Sequence, residues 1–368
     1  MNTLLNFSDT SESREHVWQR LLQQKLVQGD LPAPDATQSS INQAWYIRVM
    51  LGFAGWFGAL FLMAFVGIGF SFVMDSSLAS MVIGIALCTA AYVMFRAVKR
   101  QDFLEQFALA VSLAGQGFIL FGLFKEFRWE DRTLYGVILG LELFLTFLMP
   151  NFIHRFLTSL AALCAAYWLL QVAGFYGLMH GVLALAVLAL WWSPIMLRQA
   201  GLWRPIAYAL AFALLCLEGS RFVRPFYWYG SELAWIKYAW LFGSSLVNIA
   251  WLSAVVLVLR RQQLALNSPI AIAALCGSLA LCSFNYVTPG LSSALLLILI
   301  AVSFSNRILL GLGLFALLSF LSHYYYQMQM SLLYKSMVLL SLGILLLLIR
   351  WGLGRFFPQA DMTLDEGA

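Results

Sequence analysis

The sequence predicts an all-α bundle of membrane-spanning helices, and three features of the chain lead to that fold class. Hydrophobic residues make up 62% of the 368 residues, whereas charged residues make up only 11%. The apolar residues form long runs such as residues 49–73, and a run of about 18 or more apolar residues is typical of a transmembrane helix. Most charged residues lie between these runs, as expected where loops meet water on either side of a bilayer.

Twelve apolar segments are candidates for spans of a polytopic bundle. At a rise of about 1.5 Å per residue, about 20 helical residues cross a hydrocarbon core of about 30 Å. The ninth and tenth segments are short and meet at Thr288-Pro289-Gly290, so ten spans plus a re-entrant pair is the alternative. The predicted segments are roughly 49–73, 78–98, 104–124, 134–150, 156–173, 176–194, 204–219, 238–259, 269–286, 289–304, 308–325 and 331–351.

The distribution of basic residues predicts the orientation of the bundle. With the N-terminus inside, about two thirds of the 22 Lys and Arg residues fall on the cytoplasmic side, as the positive-inside rule requires. We therefore expect both chain ends in the cytoplasm of a bacterium, with the helices in its inner membrane. The basic residues occur as singles and pairs at helix ends, which argues against nucleic acid as a partner.

Three segments of different character divide the chain. Residues 1–45 are polar and predict a cytosolic amphipathic helix, in which Trp18, Leu22 and Leu26 share one stripe, followed by a linker. This apolar stripe would dock on the inner loops of the chain, or on a partner or the membrane surface. Residues 46–356 form the predicted transmembrane domain, and residues 357–368 form an acidic, flexible cytosolic tail.

Three stretches of the chain resemble a known bacterial family. They read AWYIRVMLGFAGWFGALFLMAF (44–65), FLEQFALAVSLAGQG (103–117) and YYYQMQMSLLYKSMVLLSLGILLLLIR (324–350). Together they are similar to the inner-membrane family called domain of unknown function 4401. The resemblance implies a multi-pass inner-membrane protein accompanied by other membrane proteins, including ones named for a GDYxxLxY motif. The resemblance implies no catalytic residues.

The first candidate site is a set of polar residues within the predicted spans. Glu142 lies about 12 Å from the outer end of its segment, where a charged side chain costs about 2.5–3.5 kcal/mol to insert. Gln116 and Asn248 lie at a similar depth on other segments, and Glu105 shares a helical stripe with Gln116. We expect a cluster of Glu142 with Gln116, joined by Asn248. It would be either interhelical glue or the polar centre of an ion relay or ligand cavity.

The second candidate site lies at the outer rim of the bundle. Arginines interleaved with aromatic residues can bind an anionic headgroup or a sugar, and they also occur in ordinary interfacial belts. Glu218 and Arg221 are spaced to form a pair on one helix. The candidate rim residues are Glu218, Arg221, Arg224, Trp228, His323 and Lys335.

The chain lacks the motifs of the common enzyme and cofactor classes. It contains no Walker loop, HExxH or GxSxG motif, and its five cysteines and four histidines show no metal-ligand spacing. We therefore predict no catalytic residues, no cofactor and no metal site. The predicted function is a non-enzymatic membrane component that acts with partner membrane proteins in the bilayer. The alternative is an ion-coupled transporter or a carrier of small molecules or lipids, centred on Glu142 and Gln116. The oligomeric state is left open.

Overall fold

The computed structural model describes residues 75–97, 102–128, 131–175, 177–223, 236–286, 288, 290–327 and 332–356, together with scattered positions between 22 and 69. The chain divides into two compact units, Met1–Trp56 and Phe57–Ala368. Only a few positions of the first unit are described. The predicted cytosolic helix and linker, most of the predicted first span and the tail after residue 356 therefore lie outside the described residues.

The regular secondary structure of the described residues is helical throughout. A single turn, Ile195–Arg198, and eleven longer helices follow one another along this part of the chain. The longer helices are α1 Ser77–Ala97, α2 Asp102–Glu126, α3 Arg132–Leu148, α4 Phe152–Val172, α5 Leu178–Trp192, α6 Ala200–Val223, α7 Ile236–Arg261, α8 Pro269–Phe284, α9 Leu291–Ser303, α10 Arg307–Gln327 and α11 Leu332–Phe356.

Six of these helices, α1, α2, α4, α6, α7 and α10, are long and apolar enough to cross a bilayer. Helices α5, α8 and α9 are apolar but shorter. Large apolar side chains such as Phe144 and Phe315 are 62% and 71% exposed. Exposing this apolar surface to water would be unfavourable, whereas exposing it to lipid is not. The protein is therefore an all-helical membrane protein. The count of twelve spans and the cytoplasmic location of both ends stay predictions.

Polar residues in the connecting turns set the starts of several helices. The Asp131 side chain accepts a hydrogen bond from the Thr133 amide at 2.8 Å and caps α3. The Asn151 side chain accepts one from the His154 amide at 3.0 Å and caps α4. Such caps satisfy amides that have no partner within the helix. Because of the Asn151 cap, α4 begins at residue 152 rather than near 156 as predicted, and His154 lies in its first turn.

Close backbone contact joins α1 to α2. A Cβ added to Gly84 would lie 2.5 Å from the Gly115 carbonyl oxygen, and one added to Gly115 would lie 2.8 Å from the Cys88 sulfur. The Ser80 hydroxyl donates to the Phe118 carbonyl at 2.8 Å across the same interface. Small residues permit this approach, which compensates for the weak hydrophobic drive between helices in lipid.

The larger apolar core is built by helices α5 to α10. Helix α7 packs against α5 and α9, and α9 packs against α10. The turn before α9 is tight, because Gly290 has a φ of 89° and lies against the Phe320 ring of α10. A side chain at Gly290 would be strained by its backbone conformation and would also meet that ring.

Candidate functional site

Glu142 lies on the buried face of α3, together with Leu134, Ile138 and Leu145. Its side chain is 0% exposed. Neither carboxyl oxygen has a hydrogen-bond partner among the described residues. A buried carboxyl group without a partner is costly, and the protonated form costs less to bury than the carboxylate. Helix α3 therefore places an ionisable side chain inside the bundle without a described partner.

A hydrogen-bonded group of side chains connects α2 with α4 beside this face. The Ser112 hydroxyl lies 2.7 Å from His154 Nε2, and the Gln116 amide nitrogen lies 3.1 Å from the same atom. The Gln116 amide also donates to the Ser112 hydroxyl at 3.3 Å. His154 is 0% exposed, and its Nδ1 has no partner among the described residues. The ring therefore presents one bonded and one unbonded nitrogen to the protein interior.

Threonine hydroxyls extend the polar path from α3 to α4. The Thr146 hydroxyl lies 2.8 Å from the Glu142 carbonyl and 2.9 Å from the Thr158 hydroxyl, and its single proton is donated to one or the other, whereas the Thr158 hydroxyl donates to the His154 carbonyl at 2.9 Å. We call Ser112, Gln116, Glu142, Thr146, His154 and Thr158 the α2–α4 polar group. The Cys88 thiol is adjacent to it, because it donates to the Ser112 carbonyl and lies within electrostatic range of Glu142.

Arg155 lies at one end of the α2–α4 polar group, and we predict that this end faces the cytoplasm. Its guanidinium donates to the Thr146 carbonyl at 3.3 Å and to the Gly201 carbonyl, just after the start of α6, at 2.9 Å. Arg155 is only partly buried. The Thr146 and Thr158 hydroxyls and the Arg155 guanidinium thus lie together at the α3–α4 interface, and no described hydrogen bond joins them to the Glu142 carboxyl.

The structure separates Asn248 from Glu142 and Gln116, although their depths along the chain are similar. The Asn248 side chain accepts from the Asn285 amide at 2.9 Å and from the Ser292 hydroxyl at 3.3 Å, and it donates to the Cys282 carbonyl at 3.1 Å. These partners belong to the end of α8 and the start of α9. Gln116 bonds to Ser112 and His154, and no bond joins it to Glu142 among the described residues.

The structure buries Glu218, which we predicted as part of the outer-rim site. Its side chain is 1% exposed and accepts from the Ser293 hydroxyl, in the first turn of α9, at 3.1 Å. Glu218 and Asn248 therefore lie at the same helix start, although the sequence assigned them to different sites. We call Glu218, Asn248, Asn285, Ser292 and Ser293 the turn polar group.

The other predicted site residues do not converge on either polar group within the described part of the chain. Glu105 is half-buried near the start of α2. The half-buried His323 contacts the Tyr324 ring, and the Lys335 ammonium lies 6.0 Å from the centroid of the Tyr325 ring. The side chain of Arg221 and residues 224–235, which include Arg224 and Trp228, lie outside the described residues.

Sequence reasoning missed seven buried members of the two polar groups as site residues: Ser112, Thr146, His154, Thr158, Asn285, Ser292 and Ser293. His154 was passed over because it falls in a predicted connection rather than in a helix. The available signal was Asn151, since an Asn three residues before a His can cap a helix that contains that His. Across the described residues, no group of three or more His, Cys, Asp or Glu side chains is arranged to hold a metal ion.

Comparison with known proteins connects the chain to one family. No curated protein and no solved structure matches it. A family model described as domain of unknown function (DUF4401) matches residues 44–356. Because this match covers most of the chain, including both polar groups, the protein belongs to the DUF4401 family.

Proposed function

We propose that this protein carries protons across the bacterial inner membrane, with both chain ends in the cytoplasm and Glu142 as its proton-binding residue. The observation that supports the proposal most directly is the complete burial of an acid whose two oxygens have no described partner. Ionisable residues inside a membrane domain are expensive and are typical of ion and proton pathways. On this proposal the protein is not an enzyme.

The bonding of Gln116 favours this proposal over a purely structural role for Glu142. A structural role, in which Glu142 holds two helices together, requires its carboxyl group to form a hydrogen bond across the helix interface. Gln116 instead bonds to Ser112 and His154, so the α2–α4 polar group is held together without the Glu142 carboxyl. The Glu142 carboxyl is therefore not committed to any described hydrogen bond.

The polar path toward Arg155 supports a direction for that exchange. Thr146 and Thr158 are hydroxyl groups that both donate and accept, and they lie between the level of Glu142 and the partly buried Arg155. On the opposite side of Glu142, which we predict to be the outer side, the buried face of α3 continues with Ile138, Tyr135 and Leu134, and the Tyr135 ring stacks on Trp168. We therefore propose that Glu142 exchanges protons with the cytoplasm in the conformation described here and with the outside in another.

Reconstituted protein provides the test. A membrane potential set by potassium and valinomycin should drive proton uptake into vesicles that contain the wild-type protein, as reported by a pH-sensitive dye. Glu142→Gln should reduce the rate to that of protein-free vesicles, whereas Glu105→Gln, a half-buried acid on neighbouring α2, should keep the wild-type rate. Infrared spectra at acid and alkaline pH should contain a titrating carboxylic acid band that Glu142→Gln removes. Equal uptake by the wild type and Glu142→Gln, with no such band, would rule out the proposal.

A second candidate function is a non-enzymatic component that acts with partner membrane proteins. The closed packing around Glu142 favours it, because a 0% exposed side chain has no contact with a water-filled cavity in this conformation. In that case Glu142→Leu should support growth and assembly of the complex as well as the wild type does. A proton carrier would lose its activity with the same substitution.

A further inference from the structure

We propose that the turn between α9 and α10 binds the headgroup of an anionic phospholipid. This α9–α10 turn consists of residues 303–306 and lies at the end of the bundle that we predict to be cytoplasmic. The proposal does not rest on proton binding at Glu142. Four observations carry it: the fixed backbone of the turn, the arginines around it, the lack of acids on the helices that build this end, and the exposed apolar side chains beside it.

The backbone of the α9–α10 turn is fixed by hydrogen bonds on both sides. Ser305 adopts a left-handed conformation with a φ of 51°, and the Asn306 amide donates back to the Ala301 carbonyl at 2.8 Å, which is a common way to end a helix. The Asn306 side chain accepts from the Leu309 amide at 3.1 Å and donates to the Tyr208 hydroxyl at 2.7 Å. The turn therefore joins α6, α9 and α10.

Arg261 contacts the turn from the end of α7. Its guanidinium donates to the Ser303 carbonyl at 3.2 Å and lies 5.1 Å from the centroid of the Phe304 ring. The Trp192 ring meets the Phe304 ring edge-on, with 5.1 Å between the ring centroids. Arg261 is exposed, and a guanidinium has more N–H donors than the Ser303 carbonyl uses. The contacts that orient Arg261 therefore leave donors for a phosphate group.

Two further arginines lie beside the same turn. Arg307 follows Asn306 directly and begins α10, and Arg204 lies one helical turn before Tyr208, the residue that contacts Asn306. Both arginines are exposed. Arginine recognises phosphate through paired N–H donors, so α6, α7 and α10 each bring a phosphate-binding residue to the turn. The positive-inside rule requires basic residues on one side of the membrane, but it does not require them around one turn.

The helices at this end contribute no acid that would neutralise the arginines. Within the described part of the chain, helices α4 to α10 contain one acid, Glu218. Glu218 bonds to Ser293 in the first turn of α9, whereas the α9–α10 turn is at the other end of that helix. Helix α9 has 13 residues and is about 20 Å long, which is too far for an ion pair. The positive charge at the turn is therefore open to an anion from outside these helices.

The surroundings of the turn favour a lipid over a soluble anion. Val302, immediately before the turn, is 63% exposed, and Ile308, one residue after Arg307, is 70% exposed. Exposed aliphatic side chains on a membrane protein contact acyl chains rather than water. A ligand at this turn therefore carries phosphate and acyl chains together. Basic pockets between membrane helices bind cardiolipin headgroups, and with three arginines at the turn, cardiolipin with its two phosphates should bind more tightly than a lipid with one.

The test is lipid binding to the purified full-length protein in a neutral detergent, measured by native mass spectrometry and by the thermal unfolding midpoint. Cardiolipin should bind saturably and raise this midpoint, because a ligand of the folded state stabilises it. Phosphatidylglycerol should bind more weakly, and phosphatidylcholine and inorganic phosphate should leave the midpoint unchanged. Arg261→Gln and Arg307→Gln should each weaken cardiolipin binding by about tenfold, the loss expected for one charge-assisted contact.

Arg96→Gln is the matched control. Arg96 is exposed near the end of α1, donates to the Tyr92 hydroxyl at 2.9 Å and lies 5.4 Å from the centroid of that ring. The control therefore removes the same charge and the same kind of ring contact at another helix end, and it should keep wild-type cardiolipin binding. Glu142→Gln should keep it too, so failure of the lipid site and failure of the proton carrier are separate results.

Two results would overturn the proposal directly. One is an equal effect of cardiolipin and of phosphatidylcholine or inorganic phosphate on the wild type, which requires no variant that folds. The other is cardiolipin binding that Arg261→Gln and Arg307→Gln affect no more than Arg96→Gln does, because net charge rather than the turn would then attract the lipid.

The acidic tail of this chain is the competing occupant of the turn. The tail carries Asp361, Asp365 and Glu366. Replacing these three acids together by their amides in the full-length protein should leave cardiolipin binding at the wild-type level. If cardiolipin binds only after this replacement, the tail rather than a lipid occupies the turn and the proposal is wrong.

Discussion

The α2–α4 polar group and the turn polar group place polar side chains inside an apolar bundle, but they satisfy them differently. In the turn polar group every side chain takes part in at least one described hydrogen bond, and Asn285 Oδ1 is a buried oxygen without a partner among the described residues. In the α2–α4 polar group, the Glu142 carboxyl and His154 Nδ1 have no described partner. The comparison teaches that a membrane interior admits polar groups for two reasons, to hold helices together and to carry exchangeable charge.

The largest expected effect concerns the helix pair that positions Ser112 and Gln116. Gly115→Leu should prevent correct folding, because its Cβ would lie 2.7 Å from the Gly84 carbonyl oxygen and would force α1 and α2 apart. Gly136→Leu is the control, since nothing lies within 4 Å of a Cβ at that position. The yield of monodisperse protein on size-exclusion chromatography measures the result. Equal yields for both variants would show that close contact of α1 and α2 is not required.

Replacing one polar residue in each group should give a smaller effect on the free energy of unfolding, and the effect should differ in sign between the two groups. Asn248→Leu removes three hydrogen bonds and should lower the free energy of unfolding by about 1–3 kcal/mol. Glu142→Leu removes a buried carboxyl that has no described partner, so it should leave that free energy unchanged or raise it. Unfolding midpoints in one detergent compare the two variants. Equal destabilisation would mean that Glu142 is as well satisfied as Asn248.

The smallest expected effect is the coupling between Thr146 and Thr158. Their hydroxyls lie 2.9 Å apart, and buried hydrogen bonds between membrane helices are worth about 0.6 kcal/mol on average. A double-mutant cycle of Thr146→Val and Thr158→Val should give a coupling energy of that size. Thr89→Val, whose hydroxyl bonds to its own helix at Ile85, should show no coupling with either. Additive effects of Thr146→Val and Thr158→Val would show that the two hydroxyls do not stabilise each other.

Depth along the helices was predictable for the polar residues, but direction around the helix axis was not. Counting residues placed Gln116, Glu142 and Asn248 at similar levels. Asn248 nevertheless faces the turn between α8 and α9, while Gln116 faces His154. When a helix is apolar on all sides, its sequence does not mark which polar residue faces which neighbour. The partners of a polar residue in such a helix are therefore set by packing.

The positions of helix ends explain why His154 and Glu218 lie elsewhere than the sequence predicted. His154 entered the α2–α4 polar group because Asn151 starts α4 early, and a shift of a few residues decides whether a side chain belongs to a loop or to a helix. Glu218, which we predicted at the outer rim, is buried in the structure because α9 begins beside it and Ser293 in the first turn of α9 donates to its carboxyl group. Neither end is marked by hydropathy, which changes gradually across such boundaries.

The amino-acid sequence by itself determined that the chain forms apolar helices for a bilayer, where most of these helices lie and which family the chain belongs to. The helices follow from length and hydropathy, which are local and additive along the chain, and the family follows from the match over residues 44–356. The tertiary structure alone decided that His154 joins Ser112 and Gln116, that Glu218 meets Ser293 and that Glu142 is left without a described partner. The reason is that lipid and protein interior are equally apolar, so only the packing of small residues and the pairing of polar groups sets the arrangement of the helices.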